Sequence, residues 1–211
     1  MTDESNEAAR KPYHHQNLRA ALIEAGLAIL AEEGAEALTL RAAARRVGVS
    51  HNAPYRHFAD KEALLAAIAE EGFETLAAAL ARAVAPYADD PRRAFEEAGW
   101  AYVQFALAHP DHLRVMFSGI APDPQAHPTL GAAGTRAFGR LVGVIEAAQL
   151  AQVFVATPAR KIAVAAWAMV HGLALLLTGG QIPLDVRATS DAESLTRFCI
   201  RTHISGLAPH T

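Results

Sequence analysis

Residues 39–61 read TLRAAARRVGVSHNAPYRHFADK, and this stretch decides the fold. Thr39 is placed to cap one short helix through its side-chain oxygen, and Ser50 is placed to cap a second. Between the two predicted helices, Gly48 allows a tight corner because it has no side chain. Two short helices joined by such a corner form a helix-turn-helix.

Positive charge is concentrated in the same stretch. It carries five cationic side chains against one acid, Asp60, although the whole chain has a formal net charge of −3. The cations are Arg41, Arg45, Arg46, Arg56 and Lys61. A cationic helix-turn-helix on a mildly acidic chain indicates a local contact with the phosphate backbone of double-stranded DNA.

The composition predicts an all-α protein with one small and one larger domain. Of its 211 residues, 52% are hydrophobic, and QVFVAT (152–157) is the one short strand candidate in a chain rich in alanine. The single cysteine, Cys199, cannot form an internal disulfide, which suits a reducing cytoplasm. The polar N-terminus lacks the apolar core of a signal peptide. We therefore expect a cytoplasmic location.

Hydrophobic periodicity predicts an amphipathic helix over residues 16–33 and a long helix over about 61–84, capped by Asp60. Further helices are expected at about 91–108, 111–118, 128–151, 157–178 and 190–207. The apolar run at 162–178 is 17 residues long. Because a spanning helix needs roughly 20 residues, we expect a buried helix there and no membrane partner. The predicted organisation is a disordered arm (1–14), a helix-turn-helix domain (15–62) and a C-terminal domain (63–211).

The helix that begins at Ser50 is predicted to read DNA. Its first turn, Ser50-His51-Asn52-Ala53, would enter the major groove, which is wide enough for one helix. Asn52 can pair with adenine through two hydrogen bonds, and His51 can donate to a guanine or a phosphate. Arg41, in the preceding helix, is long enough to reach a base edge or the backbone.

Four side chains are predicted to hold the phosphate backbone. The Tyr55 hydroxyl and the His57 imidazole lie on the next turn, and Thr39 lies at the start of the preceding helix. Lys61 would add a contact beside the free N–H groups of the helix that it begins.

The motif GVSHNAPYRHFADKEALLAAI (48–68) resembles the signature of the TetR/AcrR family of transcriptional repressors. The upstream run AEEGAEALTLRAAARRVG (31–48) is similar as well, so the N-terminal resemblance covers about residues 15–68. Pro54 departs from the pattern, since most members have Leu or Ile there. Proline removes one helical hydrogen bond, and it disfavours helical geometry at Ala53. In the first turn of a helix this cost is small, because the N–H groups there mostly lack partners, so a helix from Ser50 is still predicted.

The C-terminal half carries a second, weaker resemblance. The run AWAMVHGLALLL (166–177) is similar to the Trp-His-Gly signature of one TetR subgroup, through Trp167, His171 and Gly172, and the run 102–119 fits the same subgroup. The resemblance implies a homodimer formed through the last two long helices, 157–178 and 190–207. It also implies a small-molecule effector in the C-terminal domain that releases the protein from a palindromic operator.

Candidate ligand-binding residues are five aromatic or apolar side chains and one histidine. They are Trp100, Phe105, Met116, Phe117, Trp167 and His171. Because a buried imidazole is costly unless it is hydrogen-bonded, His171 is either a satisfied core residue or a polar group of the pocket.

Other functional classes have less support in the sequence. His109 and His112 straddle Pro110, and neither has the partners of a structural metal site, so we expect no metal and no cofactor. The chain has no glycine-rich phosphate loop and no nucleophile elbow, so we expect no catalytic residue and no enzyme. Two alternatives stay open: an effector-independent DNA binder whose C-terminal half only dimerises, and a small helical enzyme.

Overall fold

The computed structural model describes residues 18–207, and this part of the chain is helical without a strand. The all-α prediction is therefore confirmed. The predicted arm at 1–14 lies outside the described residues. The chain divides after Leu64 into two compact units, unit 1 (up to Leu64) and unit 2 (from Leu65 onward).

Unit 1 is built on three α-helical segments and two 3-10 turns. Its elements are α1 (Leu18–Glu32), a 3-10 turn (Ala35–Ala37), α2 (Leu40–Val47), a second 3-10 turn (Pro54–Arg56) and the beginning of α3 (Lys61–Val84). Thr39 Oγ1 accepts the Ala42 N–H at 3.0 Å, and Asp60 Oδ1 accepts the Ala63 N–H at 2.8 Å. Both predicted caps are confirmed.

The predicted α-helix beginning at Ser50 is wrong. The chain instead makes a turn and then the 3-10 turn Pro54–Arg56, which has no side-chain cap. The Ala53 N–H bonds to the Ser50 carbonyl at 3.0 Å, three residues back, and the His57 N–H bonds to the Pro54 carbonyl at 2.9 Å. Proline causes this, because Pro54 has no N–H to donate to Ser50 and its ring would collide with that carbonyl.

Unit 2 contains the rest of α3 and six further helices. They are α4 (Pro91–Ala108), α5 (Pro110–Phe117), α6 (Pro128–Leu150), α7 (Ala159–Thr178), α8 (Leu184–Thr189) and α9 (Ala192–Ser205), with a 3-10 turn at Ala85–Tyr87. Helix α4 lies at the centre, where it packs against α6, α7 and α9. Helix α8 was not predicted, because six residues are too few to show a hydrophobic periodicity.

The strand candidate at 152–157 is wrong as well. Phe154 is buried and meets the Phe95 ring edge-on, with ring centroids 5.1 Å apart. Val155 donates its N–H to the Leu207 carbonyl at 3.0 Å. The apolar side chains of this segment therefore anchor a turn to the core and do not pair in a sheet.

Helix α7 is long and apolar enough to cross a membrane by length and composition, and it is the one such helix among residues 18–207. One face packs into unit 2 through Ile162, Ala166 and Val170. Only 33% of its most apolar window is buried, so the expectation of a buried helix holds for one face alone. The opposite face exposes Val164 and Leu175.

Candidate functional site

The corner that follows α2 is built as the sequence predicts, although a 3-10 turn stands in place of the second helix. Gly48 adopts a left-handed conformation with φ of 77°, which L side chains rarely adopt. Its N–H bonds to the Arg45 carbonyl at 3.2 Å, and the Val49 N–H bonds to the Ala44 carbonyl at 3.0 Å. These bonds end α2 and fix the direction in which residues 50–57 leave it.

Residues 50–57 are held by Pro54 and by the adjoining Phe58, and most of their other side chains face solvent. Pro54 and Phe58 are buried, and the Arg19 guanidinium lies 5.7 Å from the centroid of the Phe58 ring. Most predicted DNA-binding residues are exposed: Thr39, Arg41, Ser50, His51, Asn52, Tyr55 and His57. Ala53 is half-buried, and its backbone keeps helical dihedral angles (φ −60°, ψ −42°) although a proline follows it.

Lys61 has a structural contact that the sequence did not reveal. Its ammonium nitrogen, Nζ, donates to the Ala35 carbonyl at 2.6 Å, and its side chain is half-buried. An ammonium group has three N–H donors, so two remain for a phosphate. The phosphate contact of Lys61 stays a prediction.

The positive charge of residues 39–61 is partly neutralised by an ion pair. Arg46 donates to both carboxylate oxygens of Glu32, at 2.8 and 2.5 Å. This hydrogen bond lowers the pKa of the Glu32 carboxyl. Arg45, the neighbouring cation of α2, is exposed.

Unit 2 contains a partly open apolar cavity of about 240 Å³. It is bounded by side chains of α3, α4, α5, α6 and α7. The lining residues are Phe73, Leu76, Leu80, Tyr102, Phe117, Gly134, Ala137, Phe138, Leu141 and Trp167. A largely apolar, aromatic lining with few polar groups is typical of sites for small hydrophobic molecules.

The polar groups at the cavity form one hydrogen-bonded chain. The Trp167 indole N–H approaches Tyr102 Oη at 3.4 Å, and Tyr102 Oη lies 2.7 Å from His171 Nδ1. Indole can only donate, so the tyrosine oxygen accepts from Trp167, and Tyr102 Oη and His171 Nδ1 share the second hydrogen bond. Burial raises the pKa of Tyr102 to about 12 and lowers the pKa of His171. Both groups are therefore neutral near pH 7.

Two of the six candidate ligand residues, Phe117 and Trp167, line this cavity. His171 packs on both, with ring centroids 4.9 Å from Phe117 and 5.9 Å from Trp167. The other three, Trp100, Phe105 and Met116, are not part of the lining.

Tyr102 is the polar side chain among the lining residues that were not predicted as ligand-binding. Along the chain it resembles the ordinary core aromatics around it. Its signal is a hydroxyl in an otherwise apolar stretch of helix, which needs a partner when it is buried. The sequence could not show that the partner is His171, 69 residues further along the chain.

Within residues 18–207, no group of three His, Cys, Asp or Glu side chains is placed to hold a metal ion. His109 and His112 stack edge-to-face with ring centroids 5.8 Å apart. His112 Nε2 lies 3.7 Å from a Glu71 oxygen, which is too far for a hydrogen bond.

Comparisons with known proteins cover both units. Residues 22–68 match the model of bacterial regulatory proteins of the tetR family, and residues 95–202 match a tetracyclin repressor-like C-terminal domain. No curated protein matches the chain. The membership of the Trp-His-Gly subgroup stays a prediction.

Solved structures resemble the whole described fold. A protein of unknown function from Rhodococcus sp. RHA1 is 37% identical over 94% of this chain and 100% of that chain, with a TM-score of 0.81. The TetR family transcriptional regulator PfmR from Thermus thermophilus is 22% identical over 89% and 99%, with a TM-score of 0.68. The fatty acid degradation regulator FadR from Bacillus halodurans is 12% identical over 96% and 100%, with a TM-score of 0.74.

The two family models cover the helix-turn-helix unit and most of the unit that holds the cavity. Members of this family are DNA-binding transcriptional regulators and are generally not enzymes. The helix-turn-helix of unit 1, the helical unit 2 and both matches agree: this chain belongs to the TetR family of bacterial regulatory proteins.

Proposed function

We propose that the chain is a ligand-responsive repressor, which a small hydrophobic effector releases from a palindromic operator. The observation that carries this proposal is the 240 Å³ apolar cavity in unit 2. Close-packed protein cores contain few spaces larger than a water molecule, so a cavity of this size favours a binding role. Because its partner is DNA, we also infer that the protein acts in the cytoplasm.

The DNA-binding role is assigned to the exposed residues of unit 1. Arg41, His51 and Asn52 are proposed to read base edges, the last two from the turn before Pro54 and not from a helix. Phosphate contacts are assigned to Thr39, Tyr55, His57 and Lys61. The Thr39 hydroxyl accepts the Ala42 N–H and keeps its own hydrogen to donate.

A homodimer formed through α7 and α9 would supply the second DNA-binding unit that a palindromic operator needs. Both helices expose apolar side chains: Val164 is 53% exposed, Leu175 is 48% exposed and Phe198 is 68% exposed. A Cβ added at Gly172, also on α7, would meet open space, so another helix could approach closely there. Two such subunits would present their helix-turn-helix units about 34 Å apart, one turn of DNA.

This dimer is tested by a charge placed in the apolar face. Phe198→Glu should give a monomer in analytical ultracentrifugation and lose operator binding, because a buried unpaired carboxylate is costly. Leu150→Glu is the matched control, since Leu150 is also apolar and is 87% exposed. A Phe198→Glu protein that stays dimeric would exclude this interface.

The proposed route of release is helix α3. It carries Lys61 at its first residue, and it contributes Phe73, Leu76 and Leu80 to the cavity lining. An effector can act only through its preference for one of two arrangements of the protein. We infer that an effector in the cavity favours one arrangement of α3, and that DNA binding favours another. Effector binding would therefore release the DNA.

The function is tested in two steps with the full chain. Selection of bound DNA from a random pool should recover a palindrome, and no bound sequence even in dilute buffer would overturn DNA binding. A library of apolar compounds should then contain molecules that raise the melting temperature and release the selected DNA. If the palindrome is recovered and no compound acts, the effector-independent DNA binder is the better interpretation.

A further inference from the structure

We propose that His112 makes DNA binding sensitive to pH: its protonation disfavours the packing of α5 on α3 and so weakens the affinity for DNA. The site is the contact between α5 and residues 71–73 of α3. The proposal rests on the proposed function in one respect, namely that α3 conveys changes in unit 2 to the DNA-binding residues. It needs no effector, so the two ideas can fail separately.

Helix α5 lies tightly against α3 at Gly72. A Cβ added to this glycine would lie 2.6 Å from Met116 Sδ and 3.2 Å from the His112 ring carbon Cδ2. At the end of α5, the Phe117 ring meets the Phe73 ring of α3 edge-to-face, with centroids 5.5 Å apart. Contacts this close leave no space to absorb a change on one side, so a displacement of α5 must be felt by α3.

The imidazole of His112 lies in this contact with one nitrogen unsatisfied. Its side chain is 13% exposed, and Nε2 is buried without a hydrogen-bond partner. The Glu71 carboxylate oxygen, at 3.7 Å, lies beyond hydrogen-bonding distance. A protonated imidazole carries an N–H on both nitrogens. Protonation would therefore place a positive charge and an unsatisfied donor between α5 and α3, which is unfavourable.

The titratable groups that act on this ring do not cancel the effect of burial. Glu71 of α3 attracts a charged ring, but its side chain is 44% exposed and an ion pair with an exposed member contributes little. His109, at the end of α4, has its ring centroid 5.8 Å away. Burial and then the charge of His109 lower the pKa of His112, and Asp111 of α5 offsets only part of this. The proton therefore binds more readily where the ring meets water.

Protonation can act on α3 only through its preference for one of two arrangements. Because the charged ring prefers water, a falling pH favours the arrangement in which α5 packs less closely on α3. The proposed release by an effector uses the same helix, since Phe73 and Phe117 both line the cavity. Protonation of His51 and His57 acts in the opposite direction, because added positive charge strengthens binding to phosphates.

The first test compares the wild-type chain with His112→Phe, which keeps an aromatic ring and cannot be protonated. Fluorescence anisotropy with the selected palindrome gives the two Kd values between about pH 7.5 and 5.5. We expect the ratio of the wild-type Kd to the variant Kd to rise about fivefold as the pH falls, a coupling of modest size. The contributions of His51 and His57 are common to both proteins and cancel. A ratio that stays constant or falls would overturn the inference.

The variant Glu71→Gln tests the opposite arrangement, in which protonated His112 binds Glu71 and holds α5 on α3. Glu70→Gln is the matched control, since it removes the same charge one residue earlier, about 100° round the helix. Without the attracting carboxylate, the loss of DNA affinity at low pH should be about twofold larger in Glu71→Gln than in the control. A smaller loss would show that the pair holds the helices together and would refute the inference. This test remains available if His112→Phe does not fold.

NMR titration of the His112 ring in the full chain provides an independent test. Because the coupling between two binding events is reciprocal, addition of the palindrome should lower the pKa of His112. A histidine with a merely structural role would keep its pKa, so an unchanged or raised pKa excludes the inference. That result leaves the proposed function standing if compounds still release the DNA. Conversely, the expected His112 effects without any releasing compound would support the inference and contradict a ligand-responsive repressor.

Discussion

Unit 1 fills its core mainly with aliphatic side chains and one phenylalanine, Phe58, whereas unit 2 keeps a space of about 240 Å³ among aromatic rings. In unit 1, Leu22 and Leu38 have no exposed surface, and Leu30 is 1% exposed. Close packing holds the surface residues of unit 1 in one geometry. The rings of unit 2 surround a space in which they can rearrange, so the two units suit a fixed recognition surface and an adjustable ligand site.

The largest effect should come from creating a cavity in the unit that is fully packed. Leu38→Ala should destabilise unit 1 by about 3 kcal/mol, because the neighbours of a fully buried leucine relax only partly. Leu141→Ala, in the wall of the existing cavity, should cost unit 2 about 1 kcal/mol, since part of that side chain already faces empty space. Urea unfolding followed by amide hydrogen exchange measures the free energy of unfolding of each unit. Equal losses of stability in the two variants would contradict the contrast in packing.

An intermediate effect is expected on the surface of unit 1. Lys61→Ala should weaken binding about tenfold at roughly 0.1 M salt on every DNA sequence and reduce the salt slope by about one. Arg46→Ala is the control, because its guanidinium is occupied by Glu32 and should contribute little to DNA affinity. Circular dichroism checks that loss of the Lys61 bond to Ala35 leaves unit 1 folded. An effect confined to one operator sequence would contradict the phosphate role.

A smaller effect tests whether the space in unit 2 is real. Gly134→Ala should stabilise unit 2 by about 0.5 to 1 kcal/mol, because alanine favours a helix and its Cβ would lie 3.8 Å from the Phe73 ring. Gly72→Ala should instead destabilise, since a Cβ there would lie 2.6 Å from Met116 Sδ. Thermal melts of both variants make the comparison; a loss of stability in Gly134→Ala would mean that the cavity is narrower than described.

The smallest expected effect is the pH dependence of the stability of unit 2. Burial lowers the pKa of His112, His171 and His203 below the ordinary value of about 6.5. The unfolded chain then binds protons at a higher pH than the folded chain, so stability is full above about pH 6.5 and declines as the pH falls below it. Replacing His203, whose Nε2 is buried without a partner, by Phe should flatten this decline in urea melts between pH 7.5 and 5. An unchanged slope would contradict the contribution of His203.

Much of the fold was predictable because it is governed by local rules. The caps at Thr39 and Asp60 and the corner at Gly48 depend on side-chain oxygens and a missing Cβ close by in the chain. The long helices followed from their hydrophobic period. The helix after Ser50 was predicted wrongly, because a proline in the first turn of a helix usually costs little, whereas here no α-helix forms and Pro54 begins a 3-10 turn.

The candidate site was only partly predictable. The exposed side chains of residues 50–57 lie next to one another in the sequence, so their grouping was evident before the structure was known. The cavity is assembled from five helices, and neither its lining nor its empty volume corresponds to a pattern along the chain. Trp100 and Phe105 are as aromatic as Trp167, yet only the last of the three lines it.

By itself the sequence determined the helical class, the helix-turn-helix corner and the cationic surface, because each depends on residues within a few positions of one another. Tertiary structure alone decided that Lys61 would hold the Ala35 carbonyl and that Trp167, Tyr102 and His171 would share one hydrogen-bonded chain. These contacts join residues 26 to 69 positions apart. Such partners meet only when helices pack, and packing depends on the shapes of all the side chains together.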